Sequence, residues 1–199
     1  MSQTLALLHT SHVLIPMFSG LCEQTIPEVA IFHMVDESLI KNTIAAQGLV
    51  KATVRRVLAL IQNARHAGAD AVLVTCSSIG PAVPVARQVF DFPVLRVDEA
   101  MAEEAVRRGS RIGVLATLAT TLEPTVALLR ETAAAQSRCI DLTPCLCDGA
   151  FDAVIAGDNE THDHLVSAAL ARLIDTVDVV VLAQASMAGV IERMPREVC

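Results

Sequence analysis

Residues 68–80, GADAVLVTCSSIG, decide the fold class. A short apolar run (71–75) sits between Gly68-Ala69-Asp70 and Cys76-Ser77-Ser78, and Pro81 follows where a helix can open. Such a run, apolar at every position rather than at alternate ones, is the pattern of a strand buried on both faces in a parallel sheet. The pattern returns at 176–186, TVDVVVLAQAS, where Asp178 and Gln184 lie 108 residues after Asp70 and Cys76. Near the start of each copy, LALLHT ends at Thr10 and IGVLAT ends at Thr117, 107 residues later. The run 31–35 then falls on 139–143. Two copies of one βαβ unit are expected, spanning 1–97 and 98–199.

Working outward, strands are expected at 4–10, 29–35, 71–75, 93–97, 111–116, 138–143 and 178–183. Helices are expected at 38–67, 81–89, 98–108, 121–136, 149–157 and 160–175, with Leu58, Ile61 and Ala64 and then Leu165, Ala169 and Leu173 marking buried stripes. Strand and helix alternate throughout, which calls for an α/β fold with right-handed crossovers. The expected architecture is two pseudo-symmetric, Rossmann-like parallel-sheet halves. In open parallel sheets the ligand crevice lies outside the carboxyl ends of the strands. Those ends carry Thr10-Ser11, Cys76-Ser77-Ser78, Thr117 through Thr121, and Gln184-Ala185-Ser186, so a site is expected in a cleft between the halves.

Composition narrows the chemistry. The chain has 199 residues, 53% hydrophobic, and a formal net charge of −7, so a core can form and no Lys/Arg cluster is available to neutralise nucleic-acid phosphates. Trp and Tyr are absent, which removes stacking platforms for single strands. No apolar run approaches a membrane span, and the first Lys or Arg is Lys41, so neither a membrane partner nor a secretion signal is expected and the reading is cytoplasmic. Six cysteines in such a chain are read as thiols rather than disulfides. Cys139, Cys145 and Cys147 lack the paired spacing of a zinc site, and His162-Asp163-His164 reads as a solvated helix start, so no metal is expected.

Cys76 follows a buried strand and precedes a helix start, where free N–H groups and the helix dipole favour the thiolate form of a nearby thiol. It is the candidate base or nucleophile, the alternative being an inert buried cysteine. Thr120-Thr121-Leu122-Glu123 reads as a capping box with Thr120 at the N-cap, giving a second helix start. The hydroxyls of Thr10, Ser11, Ser77, Ser78, Thr117, Thr120 and Ser186, with backbone N–H groups, can hold a carboxylate without Arg or Lys. Each can equally cap a helix or close a turn. Dinucleotide, phosphate-loop, serine-hydrolase and zinc-protease motifs are all missing, which leaves cofactor-free chemistry at a thiol on a small anionic substrate.

LLHTSHVLIP, VLVTCSSIG, GVLATLATT and VVLAQASMA, in that order, resemble the aspartate/glutamate racemase superfamily, which includes hydantoin racemases, maleate isomerases and arylmalonate decarboxylases. The resemblance runs along essentially the whole chain. It implies two pseudo-symmetric halves and, in racemases, two cysteines that remove and return a proton on opposite faces of the carbon next to a carboxylate or carbonyl. Cys76 matches the first cysteine, and Ser77 and Ser78 match carboxylate-binding positions. Gln184, followed by Ala185 and Ser186, stands where the second thiol is usual.

A glutamine amide neither takes nor supplies a proton usefully near neutral pH, so two-thiol racemisation cannot run as in the family. The expectation is a cofactor-independent racemase or isomerase in which Cys76 is base or nucleophile and the second proton comes from His9, His12, water, Asp36 or Glu37. A one-thiol decarboxylase of a malonate-like acid and a non-catalytic acid-binding protein are the alternatives. The chain stops at Arg193-Met194-Pro195-Arg196-Glu197-Val198-Cys199, where relatives continue. A surface left bare by that ending points to a homodimer or larger assembly.

Overall fold

A computed structural model describes residues 3–193 and divides the chain into two compact units, Met1–Val97 and Asp98–Cys199. The C-terminal Met194–Cys199, with Cys199, lie outside the described residues.

The first unit runs β1 (Thr4–His9), α1 (Ile15–Thr25), β2 (Ala30–Val35), α2 (Glu37–Ala45), α3 (Lys51–His66), β3 (Ala71–Val74), α4 (Ala82–Val89) and β4 (Val94–Arg96). Its parallel sheet has the order β2-β1-β3-β4. The central strands bury Ala6, Leu8, Val72 and Val74 against Val57, Ile61 and Ala64 of α3 and Val83 and Ala86 of α4. On the other face Leu7 packs with Phe18 and Cys22 of α1.

The second unit runs α5 (Glu99–Arg108), β5 (Arg111–Ala116), α6 (Ala119–Ala135), β6 (Asp141–Leu146), α7 (Ala150–Ile155), α8 (Asn159–Ile174), β7 (Val179–Leu182) and α9 (Ala188–Arg193). Its parallel sheet has the order β6-β5-β7 among the described residues. Ile112 and Val114 pack with α5 and α6 on one face, and Leu115 packs with α8 and Met187 on the other.

The repeat is visible in the hydrogen bonds. Asp70 Oδ2 accepts from Thr4 N at 2.9 Å, and Asp178 Oδ2 accepts from Arg111 N at 2.8 Å, so each aspartate ties the start of its unit's first strand. At the opposite end Thr75 N donates to Leu8 O and Ala183 N to Leu115 O. The short 3-10 turns Ser77–Ile79 and Ala185–Met187 follow β3 and β7 at matching positions.

Several expectations are corrected. The helix expected over 38–67 is two helices, α2 and α3, because Gln47 takes a left-handed φ of 52° and the chain closes through Gly48 N to Thr43 O. Residues 15–25 form α1, which the sequence hides: Met17 and Leu21 are exposed while Phe18 and Cys22 are buried, so no clean apolar stripe stands out. Strand β6 covers 141–146 rather than 138–143, since β6 follows β2 by 111 residues instead of 108. Pro144 is tolerated there because β6 is an edge strand. His162 is not a solvated helix start; it is 2% exposed, with Nδ1 bonded to Asp163.

Candidate active site

In the first unit the strand order fixes which loops are neighbours. Leu8 pairs with Val74 and His9 with Val35, so the segment leaving β1 at Thr10 runs between Asp36-Glu37 after β2 and Cys76 after β3. Parallel strands lie about 4.8 Å apart, so these three segments emerge side by side at the carboxyl edge. Cys76 is partly exposed, has extended backbone, and packs against the core through β3's neighbours. Its carbonyl accepts from Ile79 N, closing the 3-10 turn before Pro81 stands at the N-cap of α4. The helix expected to begin at Pro81 therefore starts one residue later, and the thiol meets the 3-10 turn first.

Of the predicted binding residues in this unit, Thr10, Ser77 and Ser78 are buried, and Ser77 and Ser78 already have partners. Ser11 is partly exposed at the start of the His12–Leu14 turn, and its side chain makes no cap bond. Gly80 closes the thiol loop against the buried Arg96: a Cβ there would stand 2.7 Å from Arg96 Nε.

The possible second proton sources separate on geometry. His9 is fully buried, and both nitrogens are engaged, Nε2 with His33 Nδ1 at 2.8 Å and Nδ1 with Thr75 Oγ1 at 2.7 Å. Burial, reinforced by His33, lowers its pKa to about 4. Burial pushes the Asp36 carboxyl up, but bonds from the Ser38 hydroxyl and N–H and the Arg56 guanidinium more than offset this, so it is held below the usual carboxylate range. His12 differs. It is exposed, its Nδ1 meets Glu37 Oε1 at 2.5 Å, and the His12 bond holds the Glu37 carboxyl below its usual range. A carboxylate on one ring nitrogen orients the imidazole and leaves the other nitrogen for proton transfer.

In the second unit Gln184 Oε1 accepts from Thr117 N at 2.6 Å and from Thr117 Oγ1 at 3.0 Å. The structure thus brings these two predicted residues together and leaves the amide –NH₂ as a donor. Thr120 is not an N-cap: α6 starts at Ala119 with Leu118 at the cap and no side-chain cap bond. Thr120 Oγ1, in the first turn of α6, is a buried hydroxyl without a hydrogen-bond partner among the described residues. Ala185 is partly exposed and Ser186 exposed. Cys147, to which the sequence assigned no role, follows β6 at the same carboxyl edge, but it is buried, and burial pushes its thiol pKa up. A groove of about 320 Å³ along β7, between Met101, Glu104, Ala105 and Arg108 of α5 and Val179–Leu182, holds none of the predicted residues.

The family model described as Asp/Glu/Hydantoin racemase matches residues 9–198. The chain belongs to this family. No curated protein sequence matches it. Among solved structures it is similar to allantoin racemase from Klebsiella pneumoniae, with 19% identity and a TM-score of 0.70 over 99% of this chain and 80% of that one. A glutamate racemase from Bacillus anthracis gives 17% identity and 0.73 over 96% and 71%, and the aspartate racemase of Picrophilus torridus gives 12% and 0.65 over 98% and 85%. At these identities the structures show a shared fold, the two-sheet α/β plan of the racemases. Among the described residues no helix is long and apolar enough to cross a membrane.

Proposed function

We propose that this member of the Asp/Glu/Hydantoin racemase family is a cofactor-independent racemase or isomerase that moves a proton at the carbon next to a carboxylate or carbonyl of a small acid, with Cys76 as the base. The observation that carries the reading is the order of groups at the carboxyl edge of the first sheet. Glu37 follows β2, His12 follows β1 and Cys76 follows β3, so a carboxylate-held imidazole lies one strand from a partly exposed thiol.

In the forward step the Cys76 thiolate takes the α-proton. The C–H bonding pair moves into the adjoining carbonyl group as an enolate, and an S–H bond forms. The protonated His12 imidazole then returns a proton to carbon from Nε2 and is left neutral. Starting from the mirror-image substrate, His12 takes the proton and Cys76 returns one. No redox partner or leaving group is needed.

Gln184 fits a binding role. Thr117 holds its carbonyl oxygen, which leaves the –NH₂ as a neutral donor at the carboxyl edge of the second unit's sheet. Amino acids, hydantoins, dicarboxylates and allantoin-like ureides share this acidic C–H beside a carbonyl.

The test is chiral chromatography of single enantiomers of aspartate, glutamate, allantoin and substituted hydantoins after incubation with the protein. Appearance of the opposite enantiomer, abolished by Cys76→Ala, supports the reading. Release of CO₂ from substituted malonates without inversion of any enantiomer supports a decarboxylase instead, and tight binding with no turnover supports a binding protein.

A further inference from the structure

We infer that His9 and His33 are positioning residues for Cys76: a hydrogen-bond relay running from Ser19 of α1 through both imidazoles to Thr75 fixes the chain one residue before the thiol. The inference rests on the reading of Cys76 as the reactive thiol and deepens it.

The relay is continuous. Ser19 Oγ meets His33 Nε2 at 2.9 Å, His33 Nδ1 meets His9 Nε2 at 2.8 Å, and His9 Nδ1 meets Thr75 Oγ1 at 2.7 Å. Thr75 Oγ1 in turn donates to Leu8 O at 3.0 Å, on the carbonyl that already accepts Thr75 N. With that hydroxyl hydrogen on Leu8 O, His9 donates from Nδ1, so its Nε2 must accept from His33 Nδ1–H, and His33 Nε2 accepts from Ser19. Each bond dictates the next. The two neutral rings therefore share one tautomer, and turning the chain round would require every member to turn together.

The sheet register explains the alignment. His9 and His33 lie on the face that also carries Leu7 and packs on α1, and the rings stack with centroids 5.1 Å apart beside Phe18. Thr75 extends from β3 onto that face, so by strand alternation Cys76 turns to the other. The relay thus pins α1, β2, β1 and β3 together at the edge where the thiol emerges.

The second unit supplies the internal control. Strand register and position put Ala116, Pro144 and Ala183 where the first unit has His9, His33 and Thr75. The same three strands form there with no polar group in the series. The fold does not require the relay; the unit that carries Cys76 has it, and the unit that carries Gln184 does not.

The experiment combines two measurements on the full chain. Long-range ¹⁵N–¹H NMR of ¹⁵N-histidine protein at pH 7 is expected to find His9 and His33 both neutral and in the same tautomer. Opposite tautomers, or a charged ring, would overturn the relay without any variant having to fold. Iodoacetamide labelling then compares Cys76 with the exposed Cys139 as an internal standard. In His33→Leu the Cys76:Cys139 rate ratio is expected to fall at least fivefold. In His33→Gln, whose amide supplies one donor and one acceptor, it is expected to return to within twofold of the wild type. A ratio unmoved in a folded His33→Leu protein overturns the positioning role. A wild-type Cys76 no faster than Cys139 instead removes the reactive-thiol reading beneath it.

Discussion

Thr117 donates both its backbone N–H and its hydroxyl to the side-chain oxygen of Gln184, at 2.6 and 3.0 Å. The residue that stands in place of a second thiol is thereby oriented, with its acceptor occupied and its donors available. Two substitutions separate these functions. Gln184→Glu keeps an acceptor for both Thr117 groups, so thermal stability should stay close to wild type, while the added negative charge should weaken binding of an acidic ligand at least tenfold. Gln184→Ala leaves the Thr117 groups without this partner and should cost about 1–3 kcal/mol in stability. Thermal melts and ligand titrations read the two outcomes separately.

The buried His9 makes stability depend on pH in a defined window. Its folded pKa of about 4 lies below its ordinary 6.5, so the unfolded chain takes the proton first as pH falls. The contribution of His9 should be constant above about pH 7 and should decline between 6.5 and 4, by an amount on the order of 3 kcal/mol. Urea melts at pH 7.5, 6 and 5 check the slope. His9→Leu, though less stable at every pH, should flatten that part of the profile.

Two glycines should respond to alanine in opposite ways. At Gly80 the added Cβ meets the buried Arg96 guanidinium at 2.7–2.8 Å, so Gly80→Ala should cost about 1–3 kcal/mol and alter the labelling rate of Cys76. At Gly20, inside α1, nothing lies within 4 Å of the added Cβ, and Gly20→Ala should stabilise by about 0.5–1 kcal/mol. Denaturant midpoints of both variants provide the comparison.

The twin aspartates that tie each sheet's first strand are not equivalent. Asp178 accepts from the N–H groups of Ser110 and Arg111 and from the Arg111 guanidinium, which holds its carboxyl far below the usual range, whereas Asp70 accepts from Thr4 N and faces Arg65 at 3.8 Å. Asp178→Ala should therefore lower the melting temperature more than Asp70→Ala. An equal or smaller loss would contradict this ranking.

The α/β alternation and the β1–β3 and β5–β7 parts of the repeat were legible because buried parallel strands leave uninterrupted apolar runs, and an aspartate precedes β3 and β7 at a fixed spacing. The repeat failed at β6, where the connection from β5 is four residues longer than that from β1 to β2 and Pro144 sits in an edge strand that needs little apolar patterning. It also gave no sign of α1, whose exposed Met17 and Leu21 blur the buried face. At the candidate site Cys76, Thr117 and Gln184 could be picked out from strand ends, and the structure joins the last two. The His12–Glu37 contact and the four-member relay could not be picked out, because each links residues 14 to 66 positions apart whose meeting depends on register. Thr120 lies inside α6 and not at its cap because a capping-box pattern does not fix which residue begins the helix.

The most direct test is proton exchange in D₂O, followed by NMR at the α-carbon of each enantiomer of the acid that the protein turns over. The wild type should place deuterium at that carbon with inversion, and Cys76→Ser should lose exchange from one enantiomer by at least a hundredfold while retaining it from the other. Undiminished exchange from both enantiomers in Cys76→Ser would contradict the assignment of Cys76 as the base.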